Sequence, residues 1–496
     1  MSASDIVLAT INATWSHPSL GLRCLRANLG PCRERCTIVE LDSRGSAEAH
    51  AERIAALRPK IVGLGVYIWN AAAIRRVAAL LRRAVPDAIL VLGGPEISHE
   101  WDAQPIAGDA DFIVCGDGEA AFADLCGELM AGRRPSGRVM AGGRPELASL
   151  RRPYAEYTDE DLRSRFTYVE TTRGCPFRCE FCLSSLDPGV RRWPLAETLS
   201  DLDRLIRRGA RRLKFVDRTF NLEPDRAEAV LRFLLDRMQP GLVVHFELVP
   251  GRLPGRIREL LGRFPSGSLR VEVGVQTFDE AVAARVGRRQ TNADVEETLR
   301  FLREETRAHV HADLLAGLPG EDLQSFGRGF DRLLAMAPAE IQVGILKRLR
   351  GTTIARHIEE WGMLFDQAPP YPVLRTRDLT ERDLERVSRT ARYWERLGNR
   401  GRFSRTLPLL WRDGRSPFDA LLELSDALFS RFRAAHGIAE QDLVAALIAH
   451  LTKQGAPPAE IAAALMADDA GRGRFRLSRS FQCCTNGRSA SDKNVG

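Results

Sequence analysis

The sequence predicts an α/β protein in three parts: an N-terminal doubly wound parallel sheet of Rossmann-like type, a central partial (β/α)6 barrel and a mostly helical C-terminal domain. Three observations predict it. The 496 residues amount to about three domains of ordinary size. Short apolar runs alternate with amphipathic stretches of helical length over the first 130 residues and again after residue 165, as parallel β/α units do. From about residue 352 the strand-like runs give way to helical periodicity.

The elements follow in order. Strands are expected at residues 6–9, 37–41, 61–66, 88–92 and 112–115, with helices near 20–29, 46–58, 70–85 and 118–131 between them. Sheets of this kind bind ligands beyond the carboxyl ends of their strands. Those ends carry Gly93-Gly94-Pro95-Glu96 and Gly116-Asp117-Gly118-Glu119, and glycine there lets the backbone approach a ligand. Residues 1–135 therefore read as a cofactor domain, and the Gly-, Pro- and Arg-rich stretch 136–164 as a linker. A second alternation, 165–351, places strands at 167–171, 212–216, 243–248, 269–275, 309–315 and 340–345. Six units fall short of a closed eightfold barrel. Residues 352–465 are expected to form helices that close the barrel's open side and shape its pocket, and 466–496 a flexible tail.

Composition excludes several classes. Hydrophobic residues make up 44% and charged residues 28% of the chain, which is globular and excludes wholesale disorder. Apolar runs stop far short of the ~20 residues a membrane helix needs, and no basic-then-apolar leader opens the sequence, so a cytoplasmic protein without membrane contact is expected. The formal charge is +7, with only five lysines among 72 basic residues, but the arginines are interspersed with 65 acids. That pattern reads as a solvated surface and makes a nucleic-acid partner unexpected.

Ten cysteines in such a chain direct attention to metal or redox chemistry rather than disulfides. Only Cys175, Cys179 and Cys182 cluster, in Thr171-Thr172-Arg173-Gly174-Cys175-Pro176-Phe177-Arg178-Cys179-Glu180-Phe181-Cys182, directly after a predicted strand. Three thiolates are one short of a closed zinc site or a fully ligated 4Fe-4S cluster. The spacing CxxxCxxC, with Phe181 before the last cysteine, resembles the radical S-adenosylmethionine superfamily. The resemblance implies a 4Fe-4S cluster on Cys175, Cys179 and Cys182, with S-adenosylmethionine on the open iron. One-electron cleavage to methionine and a deoxyadenosyl radical follows, chemistry that belongs to the cofactors. The resemblance also implies cofactor contacts at Phe181, at Asp217 after the second barrel strand, and at Glu272 and Gln276, which share one strand face with Gly274. Gly317 and Glu321, in Gly317-Leu318-Pro319-Gly320-Glu321, complete that set.

A doubly wound domain ahead of such a barrel resembles the cobalamin-binding class of these enzymes, in a group with a helical C-terminal extension. It implies that Gly93, Gly94, Gly116 and Gly118 lie on cobalamin-binding loops. The first loop, Trp15-Ser16-His17-Pro18-Ser19-Leu20-Gly21, lacks the acid of the D-x-H-x-x-G pattern, so His17 is not expected to ligate cobalt. The implied function is methylation of an unactivated carbon in a small-molecule or natural-product substrate, consuming two S-adenosylmethionine per methyl. A radical cyclase, oxidant or rearrangement enzyme is one alternative; a cobalamin-binding sensor or assembly module is another, from a different class. A low-potential electron donor such as flavodoxin or ferredoxin is implied as a partner. The seven other cysteines, the vicinal Cys483 and Cys484 among them, read as incidental.

Overall fold

The structure, a computed structural model, describes residues 4–470; Cys483 and Cys484 lie outside the described residues. In the first part β1 (Ile6–Asn12), β2 (Cys36–Asp42), β3 (Ile61–Gly65), β4 (Ile89–Gly93) and β5 (Phe112–Cys115) alternate with α1 (Leu20–Asn28), α2 (Ala47–Ala55), α3 (Ala71–Ala84) and α4 (Glu119–Met130). β6 (Val139–Ala141) joins the edge, giving a six-stranded sheet of order β2-β1-β3-β4-β5-β6, parallel throughout. Every residue of β1 and β3 is buried. Ile54, Ile74 and Leu81 of α2 and α3 cover one face, and Leu22, Phe122 and Leu125 of α1 and α4 the other, which is why these strands are continuously apolar. Strand order reverses at β1 and β3, the place where such sheets open a ligand crevice.

The linker expected at 136–164 is not one. It contributes β6 and α5 (Asp159–Ser164), and Asp161 ties back to Arg23 of α1 at 2.9 Å. Three residues of strand amid Gly, Pro and Arg carry too little periodicity to be read from sequence.

The second part begins with β7 (Thr167–Val169), followed by the small hairpin β8 (Thr172–Arg173) and β9 (Arg191–Arg192). Then come α6 (Leu195–Arg207), β10 (Arg212–Phe215), α7 (Pro224–Leu235), β11 (Val243–Leu248), α8 (Gly255–Gly262), β12 (Leu269–Gln276), α9 (Glu280–Arg285), α10 (Asn292–Glu305), β13 (His309–Ala316), α11 (Leu323–Ala335) and β14 (Glu340–Ile345). The sheet order is β14-β13-β12-β11-β10-β7, all parallel, and its two edge strands do not pair, so the barrel is partial. On β11, β12 and β13 buried apolar residues alternate with half-buried, mostly polar ones, so one sheet face packs against helices and the other is largely polar.

Beyond β14 a hairpin of β15 (Leu364–Phe365) and β16 (Val373–Arg375) leads to α12 (Glu381–Trp394), α13 (Pro417–Phe432), α14 (Glu440–Lys453) and α15 (Pro458–Ala470). The last helix runs to residue 470, past the expected start of the tail at 466; the rest of that stretch lies outside the described residues. The helical part caps the sheet edge: Asn399 Oδ1 accepts from Ile341 N at 2.9 Å and Asn399 Nδ2 donates to Ile341 O at 3.0 Å, blunting an edge strand. Phe418 packs into the space left by Gly327 of α11, where a Cβ would stand 2.6 Å from the ring.

Candidate functional site

Two cavities meet at the cysteine loop. The loop springs from the base of the β8–β9 hairpin and closes on itself, Cys175 N donating to Asp187 O at 3.2 Å and Gly189 N to Cys175 O at 3.2 Å. Gly174 has φ +94°, and a Cβ there would collide with Gly189 O, so only glycine serves. Cys175 and Cys179 are buried and Cys182 half-buried. Burial pushes both buried thiols up; the Phe177 backbone partly offsets this at Cys175, and Arg288, with Nη1 3.7 Å from Sγ, at Cys179.

The three cysteines line a cleft of about 250 Å³ with Phe181, Arg218, Glu247, Glu272, Gln276, Arg288 and Asp313. Gln276 sits at the bulge where the β12–β13 register shifts and has φ +71°, a strained backbone of the kind found at functional sites. Gly274 makes room for it: a Cβ would lie 2.9 Å from Gln276 Nε2 and 3.2 Å from Arg288 Nη2. The neighbouring strands set an ionic network in register, Glu247 beside Glu272, Glu272 beside His311 and His311 beside Glu340. Burial raises the Glu272 carboxyl, but His245 at 3.5 Å, Lys214 at 3.9 Å and the nearby His311 outweigh it and hold Glu272 at about 2. Burial opposes charge on His311 too, yet Asp313 at 2.9 Å keeps it above the usual imidazole value. Arg218 reaches Glu247 at 2.9 Å.

Three residues expected at the cofactor do not line this cleft. Asp217 is buried beside it, its carboxylate taken by Thr171 N at 2.9 Å, Thr171 Oγ1 at 2.5 Å and Thr172 Oγ1 at 2.7 Å. Those bonds fix the strand end that launches the cysteine loop. Gly317, at φ +93°, makes space for Val373, which a Cβ would approach to 2.5 Å. Glu321 is buried against Thr277 Oγ1 at 2.5 Å. Sequence reasoning missed Arg218, Glu247, Arg288 and Asp313. Glu247 and Asp313 were findable by carrying the same-face argument for residues 272, 274 and 276 across to the adjacent strands.

The second cavity, about 470 Å³, lies at the carboxyl ends of β1, β3, β4 and β5, within the usual range for cofactor pockets. Its walls are apolar (Leu8, Leu25, Leu64, Val91, Val114, Phe122) and backbone, with Gly93, Gly94, Gly116 and Gly118 all among its lining. The far wall comes from the cysteine-loop hairpin: Leu183, Leu186, Asp187 and Arg191. Arg173 bridges the two parts, 3.2 Å from Asp117 and 2.9 Å from Glu119. His17 lies elsewhere, its Nδ1 2.6 Å from Tyr168 Oη and its ring stacked on Phe166 at 4.8 Å.

Family models match all three parts: "B12 binding domain" over residues 6–126, "Radical SAM superfamily" over 169–333 and "Protein of unknown function (DUF4080)" over 359–468. The first part thus matches a cobalamin-binding domain and the second a domain of the radical S-adenosylmethionine superfamily. The two domain matches imply a 4Fe-4S cluster, S-adenosylmethionine and cobalamin as cofactors. Similar curated proteins of this superfamily include the cobalamin-dependent radical SAM methyltransferase TokK of Streptomyces tokunonensis, 23% identical over 62% of this chain and 50% of its own length. The 2-(S-pantetheinyl)-carbapenam-3-carboxylate methyltransferase of Streptantibioticus cattleyicolor is 26% identical over 56% of this chain and 45% of its own. The chain thus spans about half the length of these relatives. Among solved structures, TsrM from Kitasatospora setae with cobalamin and a [4Fe-4S] cluster bound has a TM-score of 0.58 at 20% identity, covering 74% of this chain and 81% of that one. OxsB, with aqua-cobalamin and S-adenosylmethionine bound, scores 0.59 at 13% identity, covering 96% and 85%. These structures share the fold.

The residues present fit the three cofactors of the superfamily. Three thiols face one cleft, the soft donor set that would hold an iron-sulfur cluster. Among the described residues no three His, Cys, Asp or Glu side chains stand close enough to hold a single ion. The glycine-walled apolar cavity suits a large planar cofactor approached by backbone. No helix among the described residues is long and apolar enough to cross a membrane.

Proposed function

We propose that the chain is a methyltransferase that delivers a methyl group to an unactivated carbon of a small-molecule or natural-product substrate. One observation carries the reading: the stretch just past the last cysteine is a wall of both cavities. Cys182 and Ser184 face the cleft, while Leu183, Leu186 and Asp187 face the glycine-walled cavity. When bound, the cluster with S-adenosylmethionine supplies a carbon-centred radical, and cobalamin a transferable methyl group. The chain's own work is to hold and orient. Cys175, Cys179 and Cys182 would hold the cluster. Arg218 and Arg288 offer cations to a carboxylate, and Glu247 and Asp313 offer acceptors to an ammonium, the two charged ends of an amino acid moiety. Phe177 and Phe181 help exclude water from the cleft. Below it, Lys214, His245 and His311 give the open barrel face hydrogen-bonding groups for a polar substrate. The TokK and carbapenam relatives, both named as methyltransferases, support this reading. A flavodoxin or ferredoxin would supply the electron.

The test is anaerobic incubation of reconstituted protein with reductant, hydroxocobalamin, methyl-labelled S-adenosylmethionine and candidate substrates. Equal amounts of S-adenosylhomocysteine and deoxyadenosine, with label in a product seen by mass spectrometry, are expected. Deoxyadenosine without S-adenosylhomocysteine would refute methyl transfer and favour a cyclase, oxidant or rearrangement enzyme.

A further inference from the structure

We propose that residues 348–357, the strap leading from β14 into the helical extension, couple the two cofactor sites energetically, so that filling one strengthens the other. The inference rests on the reading of the two cavities as cluster and cobalamin sites. Its first support is that neither cavity is lined by any residue from 314 onward. The helical extension therefore lines neither of these two cavities directly, and what it does to them it does through loops.

At one end the strap grips the loop after β4. Arg350 Nε lies 3.0 Å from Glu96 Oε1, Arg350 Nη1 3.0 Å from Glu100 Oε2, and Arg348 Nη2 3.1 Å from Glu100 Oε1. Tyr371, across the hairpin, donates to Glu96 at 2.6 Å and lies under the Arg350 guanidinium at 4.8 Å. Glu96 is buried, in the same turn as Gly94, Ser98 and His99 of the glycine-walled cavity. Contact is tight: Gly351 has φ +79°, and a Cβ there would stand 2.6 Å from the His99 ring.

At the other end the strap grips the cysteine loop. Ile354 N donates to Glu180 O at 3.1 Å, and Arg356 Nε and His357 Nε2 lie 2.8 and 2.9 Å from Glu180 Oε2. Glu180 is buried and stands between Cys179 and Cys182. Releasing either end would strand a buried carboxylate without its partners, which is costly. The strap is thus seated only when both loops are, and a cofactor that fixes one loop fixes the other through it. Linkage makes the effect reciprocal. Arg173 also spans the two sites, but it lines the cavity itself; the strap can be altered without removing a cofactor contact.

The experiment follows iron stripping by a chelator from the full chain, reconstituted anaerobically with and without saturating hydroxocobalamin. Bound cobalamin is expected to slow stripping about fivefold or more in the unsubstituted chain. In Arg350→Met and in His357→Gln, at opposite ends of the strap, that protection falls below about twofold although corrin absorbance is retained. Tyr371→Phe removes one hydroxyl, gives a partial loss, and stands in for Arg350→Met if that variant does not fold. Equal protection in variants and unsubstituted chain, or none in an unsubstituted chain that retains corrin, overturns the coupling. An unsubstituted chain that retains no corrin after desalting overturns the cobalamin reading instead.

Discussion

The two six-stranded parallel sheets put their chemistry in different places. In the first, helices cover both faces and strands such as β1 and β3 are buried throughout, so a ligand can sit only beyond the strand ends, on loops where glycine exposes backbone. In the second, only one face is covered, and the other carries Lys214, His245, Glu272, His311 and Asp313. Burying two faces restricts function to loops and makes shape the variable that matters. Leaving one face open turns the strands themselves into a site, and makes charge that variable.

The largest effect expected from breaking this contrast lies where the two regions meet. Cys175→Ala should lower iron per chain and reductive cleavage of S-adenosylmethionine by ~10³-fold or more, the equivalent of ~4 kcal/mol. Iron analysis and deoxyadenosine yield would check it; unchanged cleavage would remove the loop from the chemistry. Next comes Glu321, on the covered side of the second sheet. Burial, only partly offset by the Thr277 hydrogen bond, raises it from 4.5 to about 8. Between those values the unfolded chain has released its proton and the folded chain keeps it, so stability falls as pH rises through that window. Glu321→Gln should remove a loss of ~3 kcal/mol between about pH 5 and pH 8, seen as urea unfolding midpoints that fall less with rising pH than those of the unsubstituted chain.

Apart from β6, the strands of both sheets were legible because parallel strands are short, apolar and separated by helices of regular period; β5, β11 and β14 coincide with their expected limits. The glycines of the first cavity were legible for a related reason, since strand-end loops stand out against apolar runs. What could not be read was sidedness. Asp217 and Arg218 are neighbours at a strand end, and which of them enters the cleft depends on Thr171 and Thr172, some 45 residues earlier, claiming the carboxylate. Gly317 and Glu321 sit in a motif that also serves as packing: Val373, which fills the space at Gly317, belongs to a hairpin with no sequence signal of its own, and Glu321 is taken by Thr277 from a different strand end.

Shape in the first region can be tested without backbone strain. Gly93 ends β4 with φ outside the left-handed region, and a Cβ there would meet Val114 O at 3.6 Å, an ordinary contact. Gly93→Leu should therefore fold and fill the cavity, weakening cobalamin ~10–100-fold while cleavage of S-adenosylmethionine continues. Equal loss of both, measured by corrin titration and deoxyadenosine yield, would mean the cavities are not separable.

The smallest effect tests the boundary of the polar face. Asp217→Asn keeps size but sets an NH2 against either the Thr171 amide or the two threonine hydroxyls, all of which donate in the folded chain. One buried donor is left unmatched, worth ~1–2 kcal/mol of stability, visible as a lowered urea midpoint. Because the carboxylate points into the strand end rather than the cleft, affinity for S-adenosylmethionine should stay within about twofold once folding is corrected for. A tenfold weaker affinity at unchanged stability would move Asp217 back among the cofactor contacts and make the second sheet's polar face one residue longer than its geometry implies.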